Sequence, residues 1–308
     1  MTRPVVLSFD QLSQKSTTDT VVWTVSSIRK RVEERLPYPV VAPNEIPPGT
    51  RSLIAIGGGT LLDLAKAWRA DNDPELELIA VPSLWGSGAE TSPVVVLNVS
   101  GEKSIRMNDR FLPDKIVFWT ELCESIPEAT ARMACGDCWS HALEGFLSPL
   151  ADDSLRIEVA GLLGRMLAVP VGNDPRWFAL SGEACAAQAQ SSVGLVHGIA
   201  HTLEWPLRTC QPEAGWGHAK LCSTFLWPVM EYNRQASDKW RLYMQQYDID
   251  EQAVLAVIRH CYDKNAYAAA LESLKQNWRA ILRDQCTRTN SSLVRSASLE
   301  YFETWGFE

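Results

Sequence analysis

The stretch RSLIAIGGGTLLDLAKAWRA (51–70) decides how the chain is read. RSLIAI (51–56) is a short, nearly unbroken apolar run, as expected of a strand buried on both faces. Gly57, Gly58 and Gly59 follow at once, then Thr60, and LLDLAKAWRA (61–70) reads as a helix carrying Asp63 and Lys66. Strand, glycines and helix in that order make a phosphate cradle in principle. Glycine lets the backbone come close, and the unbonded amides of a helix N-terminus favour negative charge. The run is neither G-x-G-x-x-G nor a P-loop, so a plain strand-to-helix turn is the alternative reading.

Outward from this stretch, strands are expected at 20–25 (TVVWTV), 37–43 (PYPVVAP), 76–82, 93–100 (PVVVLNVS) and 115–119 (KIVFW), with a charged amphipathic helix at 27–36. Such alternation implies parallel strands joined by crossover helices. A second loop of mostly small residues, Pro82 to Glu90, follows the next strand. Two such loops at the carboxyl ends of neighbouring strands point to one ligand crevice. Beyond about residue 125 the pattern turns helical, with helices expected at 126–148, 155–169, 176–203 and 218–233. The reading is an α/β domain with a parallel sheet over 1–125 and an all-α domain over 126–308. No flexible linker separates them, so a tightly packed pair sharing a cleft is expected.

Composition narrows the classes. The 308 residues carry 29 basic and 37 acidic side chains, a net charge of −8. That balance argues against nucleic acid or an anionic membrane as partner, because phosphates want a basic face. No apolar run reaches the roughly 20 residues of a bilayer span. The start, MTRPVVLSFD, lacks the charge-then-apolar plan of a secretory signal, so the cytoplasm is the expected place. Eight scattered cysteines fit reduced thiols. Cys135 and Cys138 have C-x-x-C spacing, but no second pair exists to complete a zinc site.

The histidines carry the chemical signal. There are five, and four of them fall between 141 and 218. Asp137 and His141 stand i, i+4 on one helix, and His197 and His201 repeat the spacing on another, each pair sharing a face. His218 opens a further helix, and His260 has no companion. Polar groups on apolar helices need partners. A divalent cation supplies one, and nitrogen with carboxylate oxygen suits Fe(II) or Zn(II).

These residues resemble the iron-containing, group III alcohol dehydrogenase family, collinearly from about Ser52 to Asn233. IAIGGGTLLDLAKA is similar to the family's Gly-Gly-Gly-Ser-x-x-Asp-x-x-Lys segment, and VPSLWGSGAETS to its Pro-Thr-Thr-x-Gly-Thr-x-x-Glu-x-Thr loop. CGDCWSHALEGF resembles the Gly-x-Asp-x-x-x-His-x-x-Glu helix, GLVHGIAHTL the Gly-x-x-His-x-x-x-His helix, and HAKLCSTFLWPVMEYN the helix after it. The resemblance implies a dehydroquinate synthase-like fold, an α/β nicotinamide-dinucleotide domain followed by a helical metal domain. It implies Asp137, His141, His197 and His218 as ligands of one Fe(II) or Zn(II), and His201 as the catalytic residue near substrate and nicotinamide. Gly57, Gly58, Gly59, Thr60 and Asp63 match the pyrophosphate turn. Ser83, Leu84 and Ser87 match the nucleotide-lining loop, and Lys103 matches a lysine reaching the ribose. The implied reaction is NAD- or NADP-linked hydride transfer between a small alcohol and its aldehyde or ketone, the substrate oxygen bound to the metal.

The departures set the alternatives. The segment before the glycine turn is short, and the acidic residue that chooses NAD over NADP is not found in it. LEWPLRTCQPEAGWG, between His201 and His218, is longer than the family's connection and is expected to reshape the substrate pocket. The wording KSI and SHALEGFLSP leans toward phosphonoacetaldehyde reductases within the family. An anionic substrate of that kind would want arginines, for which Arg106 and Arg208 are candidates only, and each reads first as a surface charge. A homodimer is one way to cover the cleft of a shortened member. The rival functions are a dehydroquinate synthase-like lyase, which uses NAD transiently, and a non-catalytic relative kept as a binding subunit.

Overall fold

The computed structural model describes residues 4–43, 45–99 and 102–305. The chain divides into two compact units, Met1–Ile126 and Pro127–Glu308. In the first unit the elements are β1 (Val5–Leu7), α1 (Phe9–Ser13), β2 (Thr20–Thr24), α2 (Arg29–Arg35), β3 (Ser52–Gly57), α3 (Gly59–Asn72), β4 (Glu77–Pro82), β5 (Val94–Val99), β6 (Glu102–Met107) and β7 (Lys115–Val117). Five of the strands form a parallel sheet in the order β1-β7-β4-β3-β2. Every residue of β3 is buried, which is why RSLIAI shows no polar alternation. Val21, Trp23, Leu53, Ala55, Leu78 and Ala80 pack with Leu61, Leu62 and Ala65 of α3 into one core.

Two expected strands of this unit are corrected, and two further strands were not expected. PYPVVAP (37–43) makes no strand but a single parallel bridge, Val22 with Val40. Pro37, Pro39 and Pro43 have no N–H to give a ladder. PVVVLNVS does form β5, but outside the parallel sheet, as an antiparallel hairpin with β6. β6 itself, EKSIRM, was hidden by its charged residues, and β1 lies ahead of the first expected strand.

Buried charges tie the unit together. Lys66 is fully buried on α3, and its ammonium donates to Asp63 Oδ1 at 2.9 Å, to Ala89 O at 2.9 Å and to Val94 O at 2.6 Å. Three donors thus meet three acceptors, and α3 is fixed to the loop after β4 and to β5. Asp63 Oδ2 takes the Val96 N–H at 2.9 Å. At the start of β4, Glu77 accepts from Lys15 of the segment before β2, from Lys115 of β7, and from Ser52 of β3 at 2.8 Å.

The second unit holds α4 (Glu128–Leu147), α5 (Asp153–Leu167), α6 (Arg176–Gln188), α7 (Leu195–Cys210), α8 (His218–Ala236), α9 (Lys239–Gln246), α10 (Glu251–Cys261), α11 (Lys264–Ile281), α12 (Gln285–Arg288) and α13 (Leu299–Thr304). The helix expected over 176–203 is broken into α6 and α7, at Ser191, Ser192, Val193 and Gly194. The segment 202–217 is largely not a loop. Thr202 to Cys210 lengthens α7, and the link to α8 is Gln211 to Gly217, with a turn at Gly215 (φ 62°). Among the described residues no helix is long and apolar enough to cross a membrane.

Glu77 gives a pH test of the sheet. Burial works to raise its carboxyl, but the hydrogen bonds from Lys115, Lys15 and Ser52 outweigh it and bring it down to about 2. A depressed carboxylate stabilises the fold above its ordinary pKa, and that contribution fades as pH falls through the folded value. Denaturant titration should therefore find wild type more stable than Glu77→Gln at neutral pH. The gap should close between about pH 4.5 and pH 2.

Candidate metal centre

Three helices of the second unit bring the polar residues together. Asp137 and His141 lie one turn apart on α4, His197 and His201 one turn apart on α7, and His218 is the first residue of α8. The α4–α8 approach depends on Gly136. A Cβ there would stand 2.5 Å from Ser223 Oγ and 2.8 Å from Ser223 Cα, closer than real atoms come. The missing side chain lets α8 lie against α4 beside Asp137.

Asp137 is the hub. Its Oδ1 is 3.7 Å from His141 Nε2, 3.9 Å from His197 Nε2 and 3.8 Å from His218 Nε2, and the His141 and His197 Nε2 atoms are 3.4 Å apart. Bonds of about 2.0–2.2 Å to a tetrahedral cation put donor atoms roughly 3.3–3.6 Å from one another. The separations fit a shared cation with slight contraction, and the donor chemistry fits Fe(II) or Zn(II). Burial, helped by the nearby His197, holds His141 well below the ordinary histidine range. It is then neutral, the form that coordinates. Cys222, one turn after His218, also belongs here. The donor atoms of Asp137, His197, His218 and Cys222 lie within 4.8 Å of one another.

Glu144 was quoted in the family motif but given no role, and the structure puts it at the centre of the arrangement. Its Oε2 is 2.7 Å from His197 Nδ1, and its Oε1 accepts the Val196 N–H at 2.6 Å. The break before α7 makes this possible, because a helix start leaves its first amides unbonded. Glu144 caps α7 and turns the His197 ring so that Nε2 faces Asp137. Carboxylate, histidine and metal in series is the usual way a ligand ring is held. Burial pushes Glu144 up to about 8, against the pull of the Gly194, Val196 and His197 backbone. Its position was readable: Asp137, His141 and Glu144 stand at i, i+4 and i+7, one face of α4.

His201 is near the cluster but not aimed as the ligands are. Its ring stacks on His218 at 5.4 Å between centroids, and its Nδ1 faces Cys286 and Asp284.

In the first unit, Gly58 is the N-cap of α3 with no side-chain bond, and Gly57 O accepts from Ser83 N at 2.9 Å. A Cβ on Gly59 would stand 2.5 Å from Ser87 Oγ, so the glycine turn and the second loop touch there. Gly57, Gly58, Gly59, Thr60, Ser83, Leu84 and Ser87 are thus brought together at the carboxyl ends of β3 and β4. Asp63, one turn further along α3, has both oxygens engaged, by Lys66 and by the Val96 amide. The Lys103 side chain lies outside the described residues. The two arginines considered for an anionic substrate stand as paired surface charges. Arg106 makes a two-bond pair with Asp71 at 2.8 and 2.6 Å, and Arg208 faces Glu204 at 3.4 Å.

Residues 48–119 match the family model for iron-containing alcohol dehydrogenase. The probable alcohol dehydrogenase EutG of Escherichia coli (strain K12) is 31% identical over 293 residues, covering 82% of this chain and 71% of EutG. The chain belongs to the iron-containing alcohol dehydrogenase family. With that it is an oxidoreductase by family. The 1-propanol dehydrogenase PduQ of Salmonella typhimurium (strain LT2) is 30% identical over 167 residues, covering 49% of this chain and 45% of PduQ. The solved structure of a 1,3-propanediol oxidoreductase superposes with a TM-score of 0.78 at 15% identity, covering 98% of each chain. That likeness establishes the iron-containing alcohol dehydrogenase fold, an α/β unit followed by a helical one.

If Glu144 holds His197, Glu144→Gln should leave the helices folded and weaken metal binding by about 10–100-fold. Competition with a chromophoric chelator measures it, and unchanged affinity would remove the role.

Proposed function

We propose that this protein is a metal-dependent, NAD(P)-linked oxidoreductase interconverting a small alcohol and its aldehyde or ketone. The observation that carries the reading is the buried Asp137 carboxylate ringed by His141, His197 and His218, in a chain of the iron-containing alcohol dehydrogenase family. Those four residues would hold one Fe(II) or Zn(II). The amides of Gly59 and Thr60 at the start of α3, with Ser83, Leu84 and Ser87, would hold the dinucleotide phosphates, and Lys103 would reach the ribose. When bound, the cation supplies Lewis acidity toward the substrate oxygen, and the nicotinamide gives or takes the hydride.

The remaining work belongs to the chain. Asp137 supplies the one negative charge among three imidazoles and fixes where positive charge is favourable. Glu144 keeps His197 Nδ1 engaged, so that Nε2 is the atom offered to the cation. His201, part-buried and stacked on His218, is placed to take up or return the hydroxyl proton. Asp137, His141 and His197 are buried, which strengthens the polar contacts among them.

Metal-replete protein mixed with NADH or NADPH and a panel of short aldehydes should lose reduced-nicotinamide absorbance. No turnover with either cofactor across the panel would overturn the reading. His197→Ala should lose metal and activity together. His201→Gln should keep its metal and lose kcat by about 10²–10⁴-fold, as removal of a proton-transfer group does.

The cofactor half has its own test. Gly59→Ala should raise the apparent dinucleotide dissociation constant, because the new methyl meets Ser87. Nicotinamide fluorescence measures it, and unchanged binding would place the dinucleotide elsewhere.

A further inference from the structure

A second group of donors lies on the other side of His201. Its Nδ1 is 3.7 Å from Cys286 Sγ and 3.9 Å from Asp284 Oδ2, and one donor atom from each of the three residues lies within 4.8 Å of the other two. The placement is built. α12 packs against α7, and Asp284 caps α12 by accepting the Cys286 N–H on Oδ1 at 2.8 Å. The cap leaves Oδ2 turned to His201 and fixes the backbone that carries the thiol.

Thiol, imidazole and carboxylate together suggest a nucleophilic relay, but the geometry is wrong for one. A relay needs the thiol on one ring nitrogen and the carboxylate on the other. Here both face Nδ1. One ring nitrogen has a single in-plane position and cannot bond both groups well at once, whereas a cation between the three can bond all of them. With metal–nitrogen and metal–oxygen bonds of about 2.0–2.2 Å and metal–sulfur of about 2.3 Å, tetrahedral donors stand roughly 3.4–3.6 Å apart. The observed 3.7 and 3.9 Å need only a small contraction.

We propose that His201 Nδ1, Cys286 Sγ and Asp284 Oδ2 form a second cation site, separate from the Asp137 site and suited to Zn(II). Thiolate and imidazole select zinc-like ions over magnesium or calcium, and three protein ligands leave a fourth position open. Binding displaces the Cys286 thiol proton to solvent. It also withdraws His201 from proton transfer, so excess zinc inhibits the enzyme. That consequence rests on the role given to His201 above; the site itself does not.

The test is zinc titration of protein already carrying one equivalent of metal. A second, weaker equivalent should bind to wild type and be lost in Cys286→Ser and in Asp284→Asn, where asparagine keeps the helix cap. Cobalt(II) added as the second equivalent should give a near-ultraviolet thiolate absorption that disappears in Cys286→Ser and persists in Cys222→Ser. A single equivalent in wild type, a second equivalent that survives both substitutions, or an absorption that depends on Cys222 alone would overturn the site. A second equivalent that binds through Cys286 without inhibiting turnover would uphold the site and remove His201 from catalysis.

Discussion

The donor cluster of α4, α7 and α8 is arranged around the cost of burying Asp137. A carboxylate taken out of water loses several kcal/mol unless positive charge or good hydrogen bonds replace the solvent. The neighbours at 3.7 to 3.9 Å are imidazoles, and burial keeps His141 neutral. Three imidazoles turned toward one buried carboxylate fit a shared cation. The architecture that supports it follows from that need: α8 must run close against α4, which Gly136 permits, and α7 must begin beside Glu144 for His197 to be turned inward.

The first unit also buries a charge, and the contrast defines what a site is. Lys66 is as deeply placed as Asp137, yet its three protons meet a carboxylate and two carbonyls at 2.6 to 2.9 Å. It is complete within the protein and acts as a strut between α3, the loop after β4 and β5. At the start of α3, by contrast, the helix amides have no side-chain cap, and Gly59 lies close against Ser87 of the second loop. Residues one turn apart on the same helix, Gly59 and Asp63, thus have different work.

Much of this was legible in the sequence because helices and strands are periodic. The run at 51–56 reads as a doubly covered strand, and the i, i+4 spacings place Asp137 with His141 and His197 with His201 on shared helix faces. What escaped was set by other rules. The prolines in 37–43 suppressed a strand that apolar content alone suggested. The Ser191–Gly194 break in the 176–203 helix is made favourable by Glu144, which takes up the amides that the break exposes. No local propensity encodes a cap delivered from another helix.

The two donor groups differ in the range of the contacts that build them. The partners on α4 recur within seven residues, so the face they share is visible in the text of that helix alone. Asp284 and Cys286 reach His201 from 83 and 85 positions along the chain, through the packing of a one-turn helix on α7. Spacing has no hold over contacts of that range. They depend on the register of α12, which the Asp284 cap sets by binding the Cys286 amide. One side chain thus both positions the thiol and presents its second oxygen to the same histidine.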